Sequence, residues 1–125
     1  TLEQLASFGK TDLLTLGGHT HSHPYLDQLS EPEQEEQMRA NKTILEQASG
    51  KPVHYFAYTG GVYNLDSIQA VKRVGFQAAL AVRPLRLGDD PLLELPRTGI
   101  YSPSMVKFIP KALGLGELLG GVTRQ

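Results

Sequence analysis

Leu13-Leu14-Thr15-Leu16-Gly17-Gly18-His19-Thr20-His21-Ser22-His23-Pro24 decides how the rest of the sequence is read. An apolar run of strand length ends in two glycines, and three of the chain's four histidines follow within five residues. A strand that delivers imidazoles to a loop at its C-terminal end builds the wall of a metal site. The alternative is a polar, exposed loop whose histidines only cap and hydrogen-bond. In α/β folds chemistry gathers at the carboxyl ends of parallel strands. The order of strand, glycines and histidines therefore predicts a strand over Leu13 to Gly17 and a candidate site just beyond it.

Outward from this stretch, helical and strand patterns alternate. Thr1 to Phe8 reads as a short helix with a T-x-x-Q capping box to Gln4. Ser30 opens the clearest helix. Glu33 completes its S-x-x-E box, and Glu31, Glu35 and Glu36 lie near the positive end of its dipole. Met38, Leu45 and Ala48 keep one apolar stripe, and Gly50 followed by Pro52 ends the helix. His54 to Tyr58 is a second strand. Asn64 caps a helix whose Ile68, Val71 and Val74 face inward and which Gly75 stops. Ala78 to Val82 is a third strand, Pro96 to Tyr101 a fourth, and the glycine-rich tail from Leu113 is helix or loose loop. Alternating strands and helices imply an α/β fold with a parallel sheet. Four strands do not close a barrel, which usually takes roughly 250 residues. A chain of 125 residues is expected to be one domain, 1–125: a partial (β/α) barrel incomplete at its N-terminal side, or an open α/β layer. It starts at Thr1 in mid-pattern, so a truncated domain is expected.

Composition narrows the function classes. A net charge of −1 lacks the basic excess that nucleic acid or an anionic membrane surface would require. No apolar run is long enough to span a bilayer. With no cysteine there is neither disulfide nor thiolate, so a transition metal has only His, Asp and Glu to hold it. Oligomeric state is left open.

His19 and His23 are four apart, but the glycines ahead and Pro24 behind disfavour a helix there, so the two rings are expected to converge from a turn. Neutral imidazole suits Zn²⁺, Co²⁺ or Ni²⁺ and is a poor choice for Mg²⁺ or Ca²⁺. The hydroxyls of Thr20 and Ser22 are candidates to orient the rings, and two histidines alone are an incomplete ligand set. A second loop, Thr59-Gly60-Gly61-Val62-Tyr63-Asn64, separates a strand from a helix. Its glycines leave backbone N–H groups uncovered for an oxyanion or phosphate, or form an ordinary turn. Tyr58 and Tyr63 line a sugar-binding surface or belong to the core.

His19-Thr20-His21-Ser22-His23-Pro24 resembles the H-[ST]-x-x-H-P motif of the polysaccharide deacetylases, carbohydrate esterase family four. Gly50-Lys51-Pro52-Val53, Phe56-Ala57-Tyr58, Gly75-Phe76-Gln77-Ala78-Ala79-Leu80-Ala81-Val82-Arg83-Pro84 and Leu95-Pro96-Arg97 are similar, in order, to segments of its branch acting on N-acetylglucosamine polymers. The resemblance runs from Thr1 to about Tyr101. It implies a distorted (β/α) barrel with one divalent metal, usually zinc, and a polysaccharide substrate deacetylated by hydrolysis. His19 and His23 match the metal-binding pair, with His21 a spectator between them. The resemblance further implies that the Gly60 N–H stabilises the oxyanion and that Arg97 orients an acidic group. The family's usual substrates imply an extracytoplasmic or cell-envelope location. The aspartate pair that supplies the third ligand and the general base has no match ahead of His19. Asp12 precedes the strand, and Asp89-Asp90 sits in a turn before Pro91. Thr59 and Gly60 stand where the family carries proline and an aromatic, and no histidine follows His54. A non-catalytic carbohydrate- or metal-binding remnant, or an α/β module with a structural role, are the alternatives.

Overall fold

A computed structural model describes residues 1–99 and 104–114. Four strands, β1 (Gly17–Gly18), β2 (Tyr55–Ala57), β3 (Ala78–Ala81) and β4 (Leu95–Pro96), form one sheet in sequence order. All three pairings are parallel, with Gly17 opposite Tyr55, Ala79 opposite Phe56 and Leu95 opposite Leu80. Helix α1 (Leu2–Gly9) precedes β1, α2 (Glu31–Ser49) connects β1 to β2, and α3 (Leu65–Val74) connects β2 to β3. The sheet does not close, as expected of a partial (β/α) barrel.

Local chemistry sets the helix ends. The Glu33 carboxylate accepts from the Ser30 N–H and hydroxyl at 2.8 and 2.6 Å, and Gly50 ends α2 in the left-handed region at φ 67. Asn64 Oδ1 accepts from the Ser67 N–H at 2.9 Å while Ser67 Oγ accepts from the Asn64 N–H at 3.1 Å. These reciprocal bonds satisfy amides that have no partner inside the helix.

The core lies between the sheet and the two crossover helices. Met38 of α2, Phe56 of β2, Ile68 and Val71 of α3, and Ala79 and Ala81 of β3 are buried together. The Phe56 and Phe76 rings meet at 5.1 Å between centroids. One polar bridge crosses the core: the Ser67 hydroxyl donates to Gln34 Oε1 at 2.6 Å, and Gln34 Nε2 donates to the Leu29 carbonyl at 3.1 Å. Gln34 and Ser67 are wholly buried, which these bonds make tolerable.

The first strand differs from the expected Leu13 to Gly17. Leu13 is 93% exposed and Leu14 half exposed, and pairing begins only at Gly17. Close approach is the reason. A Cβ on Gly17 would lie 3.3 Å from the Tyr55 carbonyl oxygen. On Gly18 it would lie 3.0 Å from Phe76 Cζ, 3.1 Å from Phe56 Cδ2 and 3.2 Å from Asn41 Oδ1. Of the preceding apolar run, Leu16 packs against the core. The fourth strand is Leu95–Pro96 rather than Pro96 to Tyr101, and positions 100–101 lie outside the described residues. Pro96 lacks an N–H, which an edge strand tolerates. A helix not foreseen in the sequence, α4 (Met105–Ala112), follows. Of the tail from Leu113, only residues 113–114 are described.

Gly18→Ala is expected to destabilise the fold by about 1–3 kcal/mol, the usual range for overpacking a filled interior. Urea unfolding measures it, and an unchanged midpoint would refute the packing argument.

Candidate metal half-site at the carboxyl edge of the sheet

The histidine loop leaves β1 and crosses the end of β2. His19 Nδ1 lies 2.7 Å from the Ala57 carbonyl oxygen. A carbonyl only accepts, so Nδ1 is the donor, and in the neutral form of the ring it is Nε2 that carries the lone pair. That is the tautomer and orientation a metal-binding histidine needs. His23 meets His19 at 5.0 Å between ring centroids, the planes inclined by 70°. One ion about 2.0–2.1 Å from a nitrogen of each ring, at a tetrahedral angle, would hold the ring centres about 5 Å apart. The pair therefore fits a shared divalent ion.

The backbone of this loop is unusual. Thr20 and His23 both have φ 62, a region rarely used by non-glycine residues and costliest for a β-branched one. Thr20 is buried there. Its hydroxyl donates to the His19 carbonyl at 2.6 Å and lies 3.1 Å from Thr59 Oγ1. Ser22 Oγ donates to Gln37 Oε1 at 3.1 Å. Thr20 and Ser22 thus secure the loop backbone, whereas the carbonyl of Ala57 orients the His19 ring. His21 is exposed.

Gly60 sits beside this loop. Residues Thr59–Gly61 form a single 3₁₀ turn after β2, with φ 62 at Gly60 and 72 at Gly61. The N–H groups of Gly61 and Val62 close the turn onto the Tyr58 and Thr59 carbonyls at 3.0 and 3.1 Å. The Gly60 N–H takes no part in these bonds. A Cβ at Gly60 would stand 2.6 Å from Tyr25 Cε1, so the half-exposed Tyr25 ring covers the space that any side chain there would fill.

Tyr58 and Tyr63 are 2% and 4% exposed, which leaves no ring face for a sugar. They stack on each other at 4.3 Å with planes 12° apart, behind the glycine turn. The Tyr58 hydroxyl donates to the Leu93 carbonyl at 2.8 Å, and that of Tyr63 donates to Glu94 Oε1 at 2.7 Å while accepting from the Leu85 N–H at 2.7 Å. Their expected place on a sugar-binding surface is thus corrected to the core. Sequence alone leaves a tyrosine's two ends ambiguous, because both a core and a wet surface suit it.

Arg97 follows β4, its N–H bonded to the Ala81 carbonyl at 2.8 Å, and its side chain is exposed. It shares the carboxyl edge with the histidines but stands three strands away, about 14 Å at the usual inter-strand spacing. Asp12 lies ahead of β1, paired with Lys51 at 2.9 Å, which lowers its carboxyl pKa. It is at the opposite end of the strand from His19. Asp90 caps the turn at Pro91–Glu94, accepting from the Leu92 N–H at 3.0 Å. Among the described residues no group of three or more His, Asp or Glu side chains could hold a metal. The structure brings together His19, His23 and the Gly60 turn, and leaves Arg97 apart.

Three supporting residues escaped the sequence reading. Asn41 and Gln37 of α2 accept backbone N–H groups of the histidine loop, among them that of His19 at 2.9 Å. Their signal lay in the helix pattern: Gln34, Asn41 and, one residue off, Gln37 occupy the stripe that Met38 and Leu45 define. Uncharged polar residues on a core-facing stripe indicate buried partners. The third is Glu94, almost wholly buried. Burial pushes its carboxyl pKa up. The Gly88 N–H, the Tyr63 hydroxyl and the N–H groups of Leu87 and Arg86 outweigh this and hold it below the usual range.

Burial, with Glu94 as hydrogen-bond acceptor and nearby charge, pushes the Tyr63 phenol up to about 12 against the lowering effect of the Leu85 N–H. An unfolded tyrosine ionises near 10, so Tyr63's contribution is complete below about pH 10 and is lost as pH rises through about 12. Tyr63→Phe is expected to cost about 1–3 kcal/mol at neutral pH by stranding Glu94 and the Leu85 N–H. It should also flatten the alkaline fall in stability. Urea unfolding from neutral to alkaline pH tests both, and a parallel fall in the variant would refute the second.

The family model for polysaccharide deacetylase matches residues 3–79. Among solved structures, the fold is similar to BC0361, a polysaccharide deacetylase from Bacillus cereus. The identity is 23% and the TM-score 0.75, over 89% of this chain and 36% of that one. The Streptococcus pyogenes deacetylase PplD, determined in complex with acetate, gives 24% and 0.74 over 89% and 50%. BA3943, a CE4 family pseudoenzyme from Bacillus anthracis, gives 20% and 0.54 over 62% and 29%. This chain thus spans half or less of the length of each. No curated protein sequence matches. With the histidine motif at the carboxyl edge of a parallel sheet and the family match running from α1 through β2 to the start of β3, this chain belongs to the polysaccharide deacetylase family.

Proposed function

We propose that this chain forms part of a metal-dependent hydrolase that removes N-acetyl groups from a polysaccharide such as a poly-N-acetylglucosamine. The observation that carries the proposal is the His19–His23 pair, with 5.0 Å between ring centres and the Nδ1 of His19 engaged by Ala57. His19 and His23 would hold a divalent metal, zinc first among them. When bound, such an ion supplies a Lewis acid for the acetamide carbonyl and an activated water. The remaining ligand and the general base would come from two carboxylates beyond the described residues. The Gly60 N–H would donate to the carbonyl oxygen as negative charge develops on it, in a turn already fixed before reaction. Arg97 would orient an acidic group at the far side of the same edge. Water adds to the acetamide carbon, the C–N bond breaks, and acetate and a free amine leave. The acetate bound to PplD is the product this reaction would release. A polymeric substrate of this kind would place the protein outside the cytoplasm or at the cell envelope; among the described residues no helix is long and apolar enough to cross a membrane.

In a polypeptide that joins this chain to the missing carboxylates, acetate release from N-acetylglucosamine oligomers is expected. His19→Ala or His23→Ala should lower it by about 10³-fold or more, as removal of a metal ligand does when the ion supplies both electrophile and nucleophile. Retained activity in either variant would overturn the proposal. A second reading, a non-catalytic carbohydrate- or metal-binding remnant, is favoured by the absence of a three-ligand cluster among the described residues. Calorimetry showing oligomer binding without acetate release would establish it.

A further inference from the structure

The pairing of β1 stops at Gly18, one residue before the first histidine, so the sheet does not hold the loop that follows. Its backbone donors turn to α2 instead. Asn41 Oδ1 accepts the His19 N–H at 2.9 Å. One turn earlier, Gln37 Oε1 accepts the N–H groups of His21 and Ser22 at 3.2 and 2.9 Å and the Ser22 hydroxyl at 3.1 Å. Two carboxamide oxygens thus collect four donors from three residues, His19, His21 and Ser22.

The same stretch adopts left-handed backbone at Thr20 and His23. Such non-glycine conformations are strained and persist only where the surroundings over-determine them. We propose that Gln37 and Asn41 are positioning residues for the His19–His23 pair, clamping the strained loop so that both imidazoles are set for a divalent metal before it arrives. This deepens the proposed function and rests on its reading of the histidines as metal ligands. The two supports differ in kind. The Ala57 carbonyl of β2 fixes the His19 ring, while α2 fixes the backbone from which both rings project. Gly18 is part of the device, because the Asn41 oxygen lies 3.2 Å from where a Cβ would stand.

The test uses the full-length chain with Asn41→Ala and Gln37→Ala, beside Asn41→Asp and Gln37→Glu, which keep an acceptor oxygen in place. Amide hydrogen exchange at His19, His21 and Ser22 is read in metal-free protein, and zinc affinity by calorimetry. The alanine variants are expected to exchange roughly ten-fold faster at these amides, with α3 amides unchanged. Their zinc affinity should weaken about 10–100-fold, the usual effect of losing an outer support of a metal site. The Asp and Glu variants should stay within about three-fold of the parent by both readouts. Parental exchange or parental zinc affinity in the alanine variants overturns the clamp, as does loss in the acidic variants equal to that in the alanines. If the parent chain takes up no zinc, the metal reading fails separately, and exchange alone decides whether the clamp exists. Gln37 is only partly buried, so its alanine variant keeps the fold and the test stands even if Asn41→Ala unfolds.

Discussion

At Gly18 the backbone of β1, the rings of Phe56 and Phe76 and the side chain of Asn41 meet so closely that a methyl group would fit only if its neighbours gave way by a few tenths of an ångström. This contact sets the register of β1 on β2, with Gly18 opposite Phe56. It also sets how closely α2 lies over the strand, and so whether a carboxamide on that helix reaches the amide of His19. A densely packed interior transmits such a constraint because its neighbours have no slack to absorb a shift. The position of the histidine pair is therefore a consequence of core packing as much as of loop chemistry.

Behind the loop the interior is polar but satisfied. Tyr58 and Tyr63 stack, and their hydroxyls donate hydrogen bonds to the Leu93 carbonyl and the Glu94 carboxylate. Glu94 gathers backbone N–H groups from the segment after β3, which keeps a nearly buried carboxylate ionised at neutral pH. Among the described residues no buried side-chain polar atom lacks a partner. Such networks are stabilising only when complete, and this one fixes the base on which the Gly60 turn rests. The carboxylate of Glu94 is fully engaged there and is not free to serve as a metal ligand.

Much of the fold was legible from local rules. The caps at Ser30, Asn64, Gly50 and Gly75 lie where the sequence indicates, and Ile68, Val71 and Val74 face inward. The apolar run Leu13-Leu14 misled because hydrophobicity marks what is worth burying, whereas strand pairing here required the absence of side chains. Tyr58 and Tyr63 were ambiguous for a related reason: a phenol is satisfied equally by water or by a buried acceptor, and only the approach of Leu93 and Glu94 from distant sequence decides which.

The sequence by itself determined the alternation of helix and strand, the placing of the histidines after a strand and the family, because these depend on spacing, capping chemistry and residue type along a short stretch of chain. Tertiary structure alone decided that His19 donates to Ala57, that the two rings stand 5.0 Å apart, that α2 and not the sheet holds their loop, and that the tyrosines are core. Each of these joins groups from 4 to 38 positions apart, and all but the short histidine spacing require separate elements to be brought together by packing. No local periodicity encodes such a meeting.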